Sequence, residues 1–359
     1  MSIVRIDVVN VRNIRKASIC PSEKINLFWG ANGSGKSSFL EAIYLLASGK
    51  SFRTHQIQKV LTFGAETLIV FAECRTRHDH PVSLGIERGN GITRLRVNGN
   101  RASAVSRLAQ QLPVQVINPD SHHLIEQGPR YRRHFIDWGM FHVEHGFFPI
   151  WSRFNLALRQ RNAALRKGAE ECEITVWHNE MSDCARRISE FRNAYICELV
   201  PLARQITNEF LGETELDIRF IPGWKIDEPY DRHLDRALKL DRNKGYTRHG
   251  PHRADLSISI GGVSAKDCLS RGEQKMLAIA LRLSQIELLR KKNGLNCVLL
   301  VDDLPSELDS ERRSKLIDRV VDLNCQVFIT ATERELLSNK MDLIDKVFHV
   351  EHGDIKEMI

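Results

Sequence analysis

Eight consecutive residues, Gly30-Ala31-Asn32-Gly33-Ser34-Gly35-Lys36-Ser37, match G-x-x-x-x-G-K-[ST] at every fixed position. That residue order handles phosphate. Backbone N–H groups of the glycine-rich turn wrap the anion, the lysine reaches the β/γ-phosphates, and the serine hydroxyl is offered to Mg²⁺. Residues 30 to 38, ending at Ser38, are the candidate nucleotide contacts. A second cluster follows the apolar run Cys297-Val298-Leu299-Leu300-Val301, which ends in Asp302-Asp303. Such a run reads as a buried parallel strand whose terminal carboxylate meets the metal at the sheet edge. Asp302 is then the candidate Mg²⁺ contact, and Asp303 the candidate to orient or deprotonate the attacking water. A third segment, Leu269-Ser270-Arg271-Gly272-Glu273-Gln274, lies about thirty residues before Asp302. Ser270 and Glu273 satisfy an ordinary capping box. The same helix N-terminus, with Gly272 leaving room, also presents bare N–H groups to an anion. The sequence leaves both readings open.

These clusters need elements to position them. Residues 24–29 form a short strand before the loop, and residues 38–46 a helix after it, with Leu40, Ile43 and Leu46 on one face. Further β-like segments lie at 2–9, 17–20, 67–74, 82–87 and 93–97. Asn98-Gly99 marks a hairpin, because both turn residues must take φ > 0. From about residue 130 the pattern becomes helical. Trp151, Phe154, Leu158, Arg161 and Leu165 repeat at helical spacing up to Gly168. A second amphipathic stretch runs from about 175 to 199, is interrupted at Pro201, and resumes at 205–211. Polar and Pro/Gly-rich sequence marks a return crossing, after which a β/α pattern resumes. A helix after residue 270 carries Leu277, Ala280, Leu281, Ser284 and Leu288 on one face.

The 359 residues carry 52 Lys+Arg against 45 Asp+Glu, a net charge of +7, which suits an anionic partner. Eight scattered cysteines without a C-x-x-C pair read as reduced thiols of a cytoplasmic protein. Residues 1–15 alternate apolar and charged residues, so no leader is expected, and no apolar run is long enough to span a bilayer. Among fourteen histidines, His122, His123, His142 and His145 match no known metal-ligand spacing, so structural or solvated roles are expected. Candidate phosphate-binding patches are Arg130, Arg132 and Arg133; Arg159, Arg161, Arg166 and Lys167; and Arg186 with Arg187. Each is also compatible with a solvated or ion-paired face. The aromatics near them, Tyr131, Trp151 and Phe154, sit at packing rather than stacking positions.

The three clusters in this order resemble the ABC-type head ATPases of chromosome maintenance and repair. Three segments narrow the resemblance to the bacterial RecF family. They are Pro119-Asp120…Leu124-Ile125…Gly128-Pro129-Arg130-Tyr131-Arg132-Arg133-His134-Phe135-Ile136-Asp137; Gly245 to Leu256, reading GYTRHGPHRADL; and Asp302-Asp303…Ser306-Glu307-Leu308-Asp309 with Arg312-Arg313. The resemblance implies an α/β fold, an ABC-type P-loop ATPase head (a strand-rich lobe plus an α/β core) with an inserted helical lobe. Its expected boundaries are 1–135 and 241–359 for the head and 136–240 for the insert. It also implies an ATP- and Mg²⁺-dependent homodimer in which Ser270, Arg271, Gly272 and Gln274 complete the partner's ATP site, with Arg12 a further nucleotide contact. DNA, single- and double-stranded and at gaps, is the implied partner. RecO and RecR are implied co-workers in loading RecA during recombinational repair and the SOS response. Two departures stand out. Asp303 replaces the usual catalytic glutamate, one methylene longer, so hydrolysis is expected to be slow. The switch histidine is absent after the strand 326–332, where Thr330 or Thr332 could stand in.

Other P-loop classes fit less well. A transporter subunit does not account for the 245–256 segment. A condensin-like head requires coiled-coil arms far longer than this insert, and a P-loop kinase leaves 270–274 unexplained.

Overall fold

The structure is a computed structural model that describes residues 1–76, 79–303 and 308–358, with side chains 335–339 left aside. Ser306 and Glu307 therefore lie outside the described residues. Two compact units are present: residues 1–121 with 289–359, and residues 122–288. The boundaries expected at 135 and 240 fall elsewhere. The helix Pro129–Val143 and the strand at 255–260 both lie in the second unit, where Arg132 ties one to the other through Asp255.

In the first unit the strands are, in chain order, β1 (Ser2–Val11), β2 (Ile14–Ile19), β3 (Ile25–Trp29), β4 (Thr67–Arg75), β5 (Pro81–Gly89), β6 (Thr93–Val97), β7 (Asn100–Arg101) and β8 (Val114–Ile117). The second unit contributes β9 (Leu216–Ile221), β10 (Asp255–Ile260) and β11 (Val263–Ser264). The chain then returns to the first unit with β12 (Val298–Val301), β13 (Gln326–Ala331), β14 (Lys346–Glu351) and β15 (Asp354–Met358). One sheet, in order β2-β1-β4-β5-β6-β7, is antiparallel. Its strands alternate in burial, as a sheet with one packed face requires. The Asn98-Gly99 turn takes φ of 51° and 76°, as the hairpin signal requires.

The other sheet, in order β15-β14-β3-β13-β12-β8, is parallel from β14 through β8, with β15 antiparallel at its edge. β12 and β13 are buried along their whole length, which explains their unbroken apolar sequence. Helix α1 (Lys36–Ser48) belongs to the same core. Phe39, Leu40, Ala42, Ile43, Leu45 and Leu46 are all inaccessible, so more than one face is covered. Phe28 of β3 stacks on Phe39 and on Phe348, each at 4.7 Å between centroids. The strand before the loop and the helix after it are thereby locked to β14. Truncating Phe28 to alanine would remove about 3–5 kcal/mol.

The second unit packs the helices Pro129–Val143, Phe147–Lys167, His178–Leu211 and Tyr230–Lys244 with the antiparallel sheet β11-β10-β9. The long helix corrects one expectation: it runs from 178 to 211 without stopping at Pro201. Proline in a helix interior costs about 3 kcal/mol. Burial of Leu199, Ala203, Ile206 and Phe210 on both sides of it outweighs that loss. Four arginines converge on residues 247–255. Arg161 donates to Thr247 (2.6 Å) and Asp241 (2.9 Å), and Arg192 to the Pro251 carbonyl (2.7 Å) and Asp137 (2.6 Å). Arg132 forms a forked pair with Asp255, and Arg133 donates to the Ala254 carbonyl. The two arginine- and histidine-rich segments that carry the resemblance are thus clamped to each other inside this unit. Among the described residues, no helix is long and apolar enough to cross a membrane.

Candidate nucleotide-binding site

β3 delivers the chain to Gly30, and α1 begins at Lys36 with no side chain capping its first N–H groups. Those donors stay available to an anion at the positive end of the helix. The Lys36 ammonium donates to the carbonyls of Gly30 (2.6 Å) and Ala31 (2.9 Å). Burial lowers its pKa, opposed by the nearby carboxylates of Asp303 and Asp302. Ser37 Oγ donates to Asp302 Oδ1 at 2.7 Å. The hydroxyl and the carboxylate expected to share a cation are therefore in direct contact, although 265 residues separate them.

Asp302 closes the buried strand β12, and Thr330 of β13 organises this end of the sheet. Thr330 Oγ1 donates to Asp302 Oδ1 (3.0 Å) and accepts the N–H of Asp303 (2.7 Å). Burial pushes the Asp302 carboxyl above the ordinary range, while hydrogen bonds from Ser37 and Thr330 and the charge of Arg53 favour its ionised form. Asp303 takes φ of 47°, an unusual conformation for a residue other than glycine and one that recurs at functional sites. Thr330 is fully buried in this network, and its position makes it a positioning group for both acids.

A support absent from the local sequence pattern comes from the turn between β14 and β15. Gly353 N–H donates to the Ser34 carbonyl at 2.7 Å. A Cβ on Gly30 would sit 2.2 Å from the Val350 carbonyl oxygen, and one on Gly353 would sit 2.2 Å from that of Asn13. Asn13 completes the brace: its amide donates to the Ser34 (2.9 Å) and Gly33 (3.2 Å) carbonyls and accepts from Ser38 Oγ (3.0 Å). Arg12, expected beside the nucleotide, instead makes a forked pair with Glu41 of α1 (2.8 and 2.9 Å) and reaches the Lys59 carbonyl. Glu41 is fully buried and also accepts from Ser51. Asn13, Glu41 and Gly353 escape sequence reasoning because each acts through a partner remote in the chain, whereas Thr330, named from the sequence as a stand-in for the switch histidine, is the residue that contacts both acids.

The cradle fits a nucleotide with its cation. Ser34 Oγ is buried in the loop without a hydrogen-bond partner, an arrangement that a phosphate oxygen satisfies. The Ser37 and Asp302 oxygens form a hard donor pair of the kind Mg²⁺ takes beside phosphate.

In the second unit, Ser270 and Glu273 do form the capping box: Ser270 N–H donates to the Glu273 carboxylate (2.8 Å) and Glu273 N–H donates to Ser270 Oγ (3.4 Å). Ser270 and Arg271 are exposed at the start of the helix Arg271–Asn293, and Gly272 is half-buried. Gln274 is buried, with its amide donating to the Lys266 and Leu269 carbonyls of its own loop. The capping role is therefore realised, and Ser270, Arg271 and Gly272 remain accessible to an outside ligand.

The arginine patches divide. Arg132 and Arg133 are half-buried and engaged with Asp255 and Ala254, and Arg161 is fully buried against Asp241, so of the three only Arg161 is withdrawn from solvent altogether. Arg130, Arg159, Arg166, Lys167 and Arg187 are exposed, as is Arg186, which pairs with Glu190 at 3.0 Å. Trp151 stacks on the buried Phe154 at 5.8 Å, as packing residues do, whereas Tyr131 is exposed. His142 is a core residue whose pKa burial pushes down to about 3.

Fold and site together define an ABC-type ATPase head. The model of the RecF/RecN/SMC N terminal domain matches residues 2–356. The DNA replication and repair protein RecF of Pseudomonas paraeruginosa (strain DSM 24068 / PA7) is 40% identical over 99% of this chain and 98% of its own length. RecF of Pseudomonas fluorescens is 42% identical over the same shares. The chain belongs to the RecF family. Among solved structures, the recombination mediator protein RecF-ATP in the RecFOR pathway superposes with a TM-score of 0.90 at 27% identity, covering 100% of this chain and 98% of that one. An Smc head bound to the C-winged helix domain of ScpA shares the fold, with a TM-score of 0.62 at 15% identity over 100% of this chain and 97% of its own.

Proposed function

We propose that this chain is an ATP-dependent DNA-binding protein of replication and recombinational repair, and a slow ATPase that uses hydrolysis as a switch. The observation that carries the reading is the direct Ser37–Asp302 contact beneath a loop whose buried Ser34 hydroxyl lacks a partner. In this reading residues 30–38 hold the triphosphate and Lys36 contacts its β/γ-phosphates. Ser37 and Asp302 hold Mg²⁺, which supplies charge neutralisation at the phosphates. Asp303 orients water, and its shorter reach keeps turnover below about 1 s⁻¹, against a typical enzyme value of about 10 s⁻¹. Arg12 contributes by fixing α1 through Glu41, or contacts nucleotide after leaving it.

Ser270, Arg271 and Gly272, with Gln274 behind them, complete the site of a second protomer, giving a two-fold head-to-tail dimer over two ATP molecules. Accessibility of Ser270 and Arg271 at the uncovered start of a long helix supports this arrangement. DNA is held through phosphates, with Arg130, Arg186 and Arg187 as contacts, so binding is sequence-independent and falls steeply with salt. Membership in the family supports a cytoplasmic role at single-strand/duplex junctions with RecO and RecR, in RecA loading and the SOS response.

Light scattering on gapped DNA with a non-hydrolysable ATP analogue tests the dimer. Lys36→Ala should abolish nucleotide retention. Ser270→Arg should retain nucleotide yet stay monomeric, since loss of the cap itself removes only about 1 kcal/mol. Undiminished dimerisation by Ser270→Arg would overturn the shared site.

A further inference from the structure

His122 ends the turn Pro119–His122, and His123 opens the single helical turn His123–Glu126 that follows without a break. His122 is itself helical in its backbone, so residues 122 and 126 stand one turn apart on one face, with 123 beside them. The ligating atoms of His122, His123 and Glu126 all lie within 4.8 Å of one another. His122 Nε2 is already 3.4 Å from a Glu126 carboxylate oxygen. Bonds of about 2.0–2.1 Å to a tetrahedral zinc ion place neighbouring donor atoms roughly 3.4 Å apart. One edge of a coordination tetrahedron is thus present, and small χ rotations close the others.

The donors are also partly ordered. All three residues are half-buried, the two imidazoles pack at 4.6 Å, and His123 meets the edge of Tyr131 at 5.5 Å. Side chains held in place lose less entropy when they bind. Two imidazoles and one carboxylate suit zinc and its neighbours, whereas Mg²⁺ and Ca²⁺ take oxygen sets. We propose that His122, His123 and Glu126 bind one divalent transition-metal ion of the zinc class, sharing no ligand with the Ser37–Asp302 pair. Three protein ligands leave a coordination position for water or an oxyanion, and the loaded site carries a net single positive charge.

The test uses metal-free full-length protein without nucleotide or Mg²⁺, titrated with Zn²⁺ by calorimetry and with Co²⁺ by visible absorption. Wild type should bind one equivalent, and His123→Ala and Glu126→Gln should each bind at least tenfold more weakly. The Co²⁺ spectrum should show no thiolate charge-transfer band. Zn²⁺ at about the wild-type dissociation constant should raise the unfolding midpoint of wild type clearly more than that of either variant, while all three unfold alike in metal-free buffer. Glu126→Gln keeps the shape of an exposed-side carboxylate and so guards against a folding defect. Absence of stoichiometric binding, equal binding by the variants, or a thiolate band would each overturn the proposal, leaving His122–Glu126 as a simple surface ion pair.

Discussion

Replacing Gly353 by alanine isolates the brace beneath the phosphate loop. Gly353 has φ of 87°, and an added Cβ would lie 2.2 Å from the Asn13 carbonyl oxygen and 3.0 Å from its carbon. The left-handed backbone alone disfavours alanine by about 1–2 kcal/mol. Relieving an overlap with backbone atoms adds about 1–3 kcal/mol. The expected loss of stability is therefore about 2–5 kcal/mol. Relief must move either the 351–354 turn or Asn13, and both hold the Ser34 carbonyl. Losing such contacts, at about 1–2 kcal/mol, should weaken nucleotide binding roughly 5- to 30-fold. Gly91 is the control: its φ is 74° but nothing lies within 4 Å of an added Cβ. Gly91→Ala should show the backbone penalty and normal nucleotide affinity. Urea unfolding and titration with a fluorescent ATP analogue read both quantities. If Gly353→Ala matched Gly91→Ala in both, the turn would not be supporting the loop.

Asp302→Asn should separate stability from function. The folded pKa of Asp302 is raised by burial, so its ionised form is a liability above that pKa, and the liability fades as pH falls through it. The variant should equal or exceed wild type in stability at neutral pH, lose that margin in acid, and lose Mg²⁺-dependent nucleotide binding; urea unfolding across pH and nucleotide titration with and without Mg²⁺ decide it. His142, whose pKa is held down to about 3 by burial, takes up its proton more readily in the unfolded chain. Stability should therefore fall by about 1.4 kcal/mol per pH unit below about pH 6.5 from this residue alone, and His142→Phe should flatten that slope.

The parts of the site that the sequence reveals are the parts built locally. Strand, loop and α1 are contiguous, so their order and chemistry are readable together, and the apolar run before Asp302 announces a buried strand. The capping box of Ser270 and Glu273 is local too, and it is present. What escapes is set by distant partners. The 351–354 turn meets the loop only once β14 lies beside β3, and Asn13 reaches the loop from the β1–β2 connection. Arg132, Arg133 and Arg161 read as surface charge because Asp255, Ala254 and Asp241 lie about 80 to 120 residues further along. Pro201 reads as a helix end because local propensity cannot see the apolar residues buried on either side of it.

β3 is flanked by β13 and β14, whose sequences follow it by some three hundred residues, with the whole 122–288 unit in between. During synthesis the phosphate loop therefore emerges early but has no sheet to stand on, while the intervening unit is completed. Closure of so long a loop is slow, and meanwhile an apolar strand stands with two bare edges. Newly made chains should depend on holding factors until the last strands arrive, and added nucleotide should speed only the final docking of those strands.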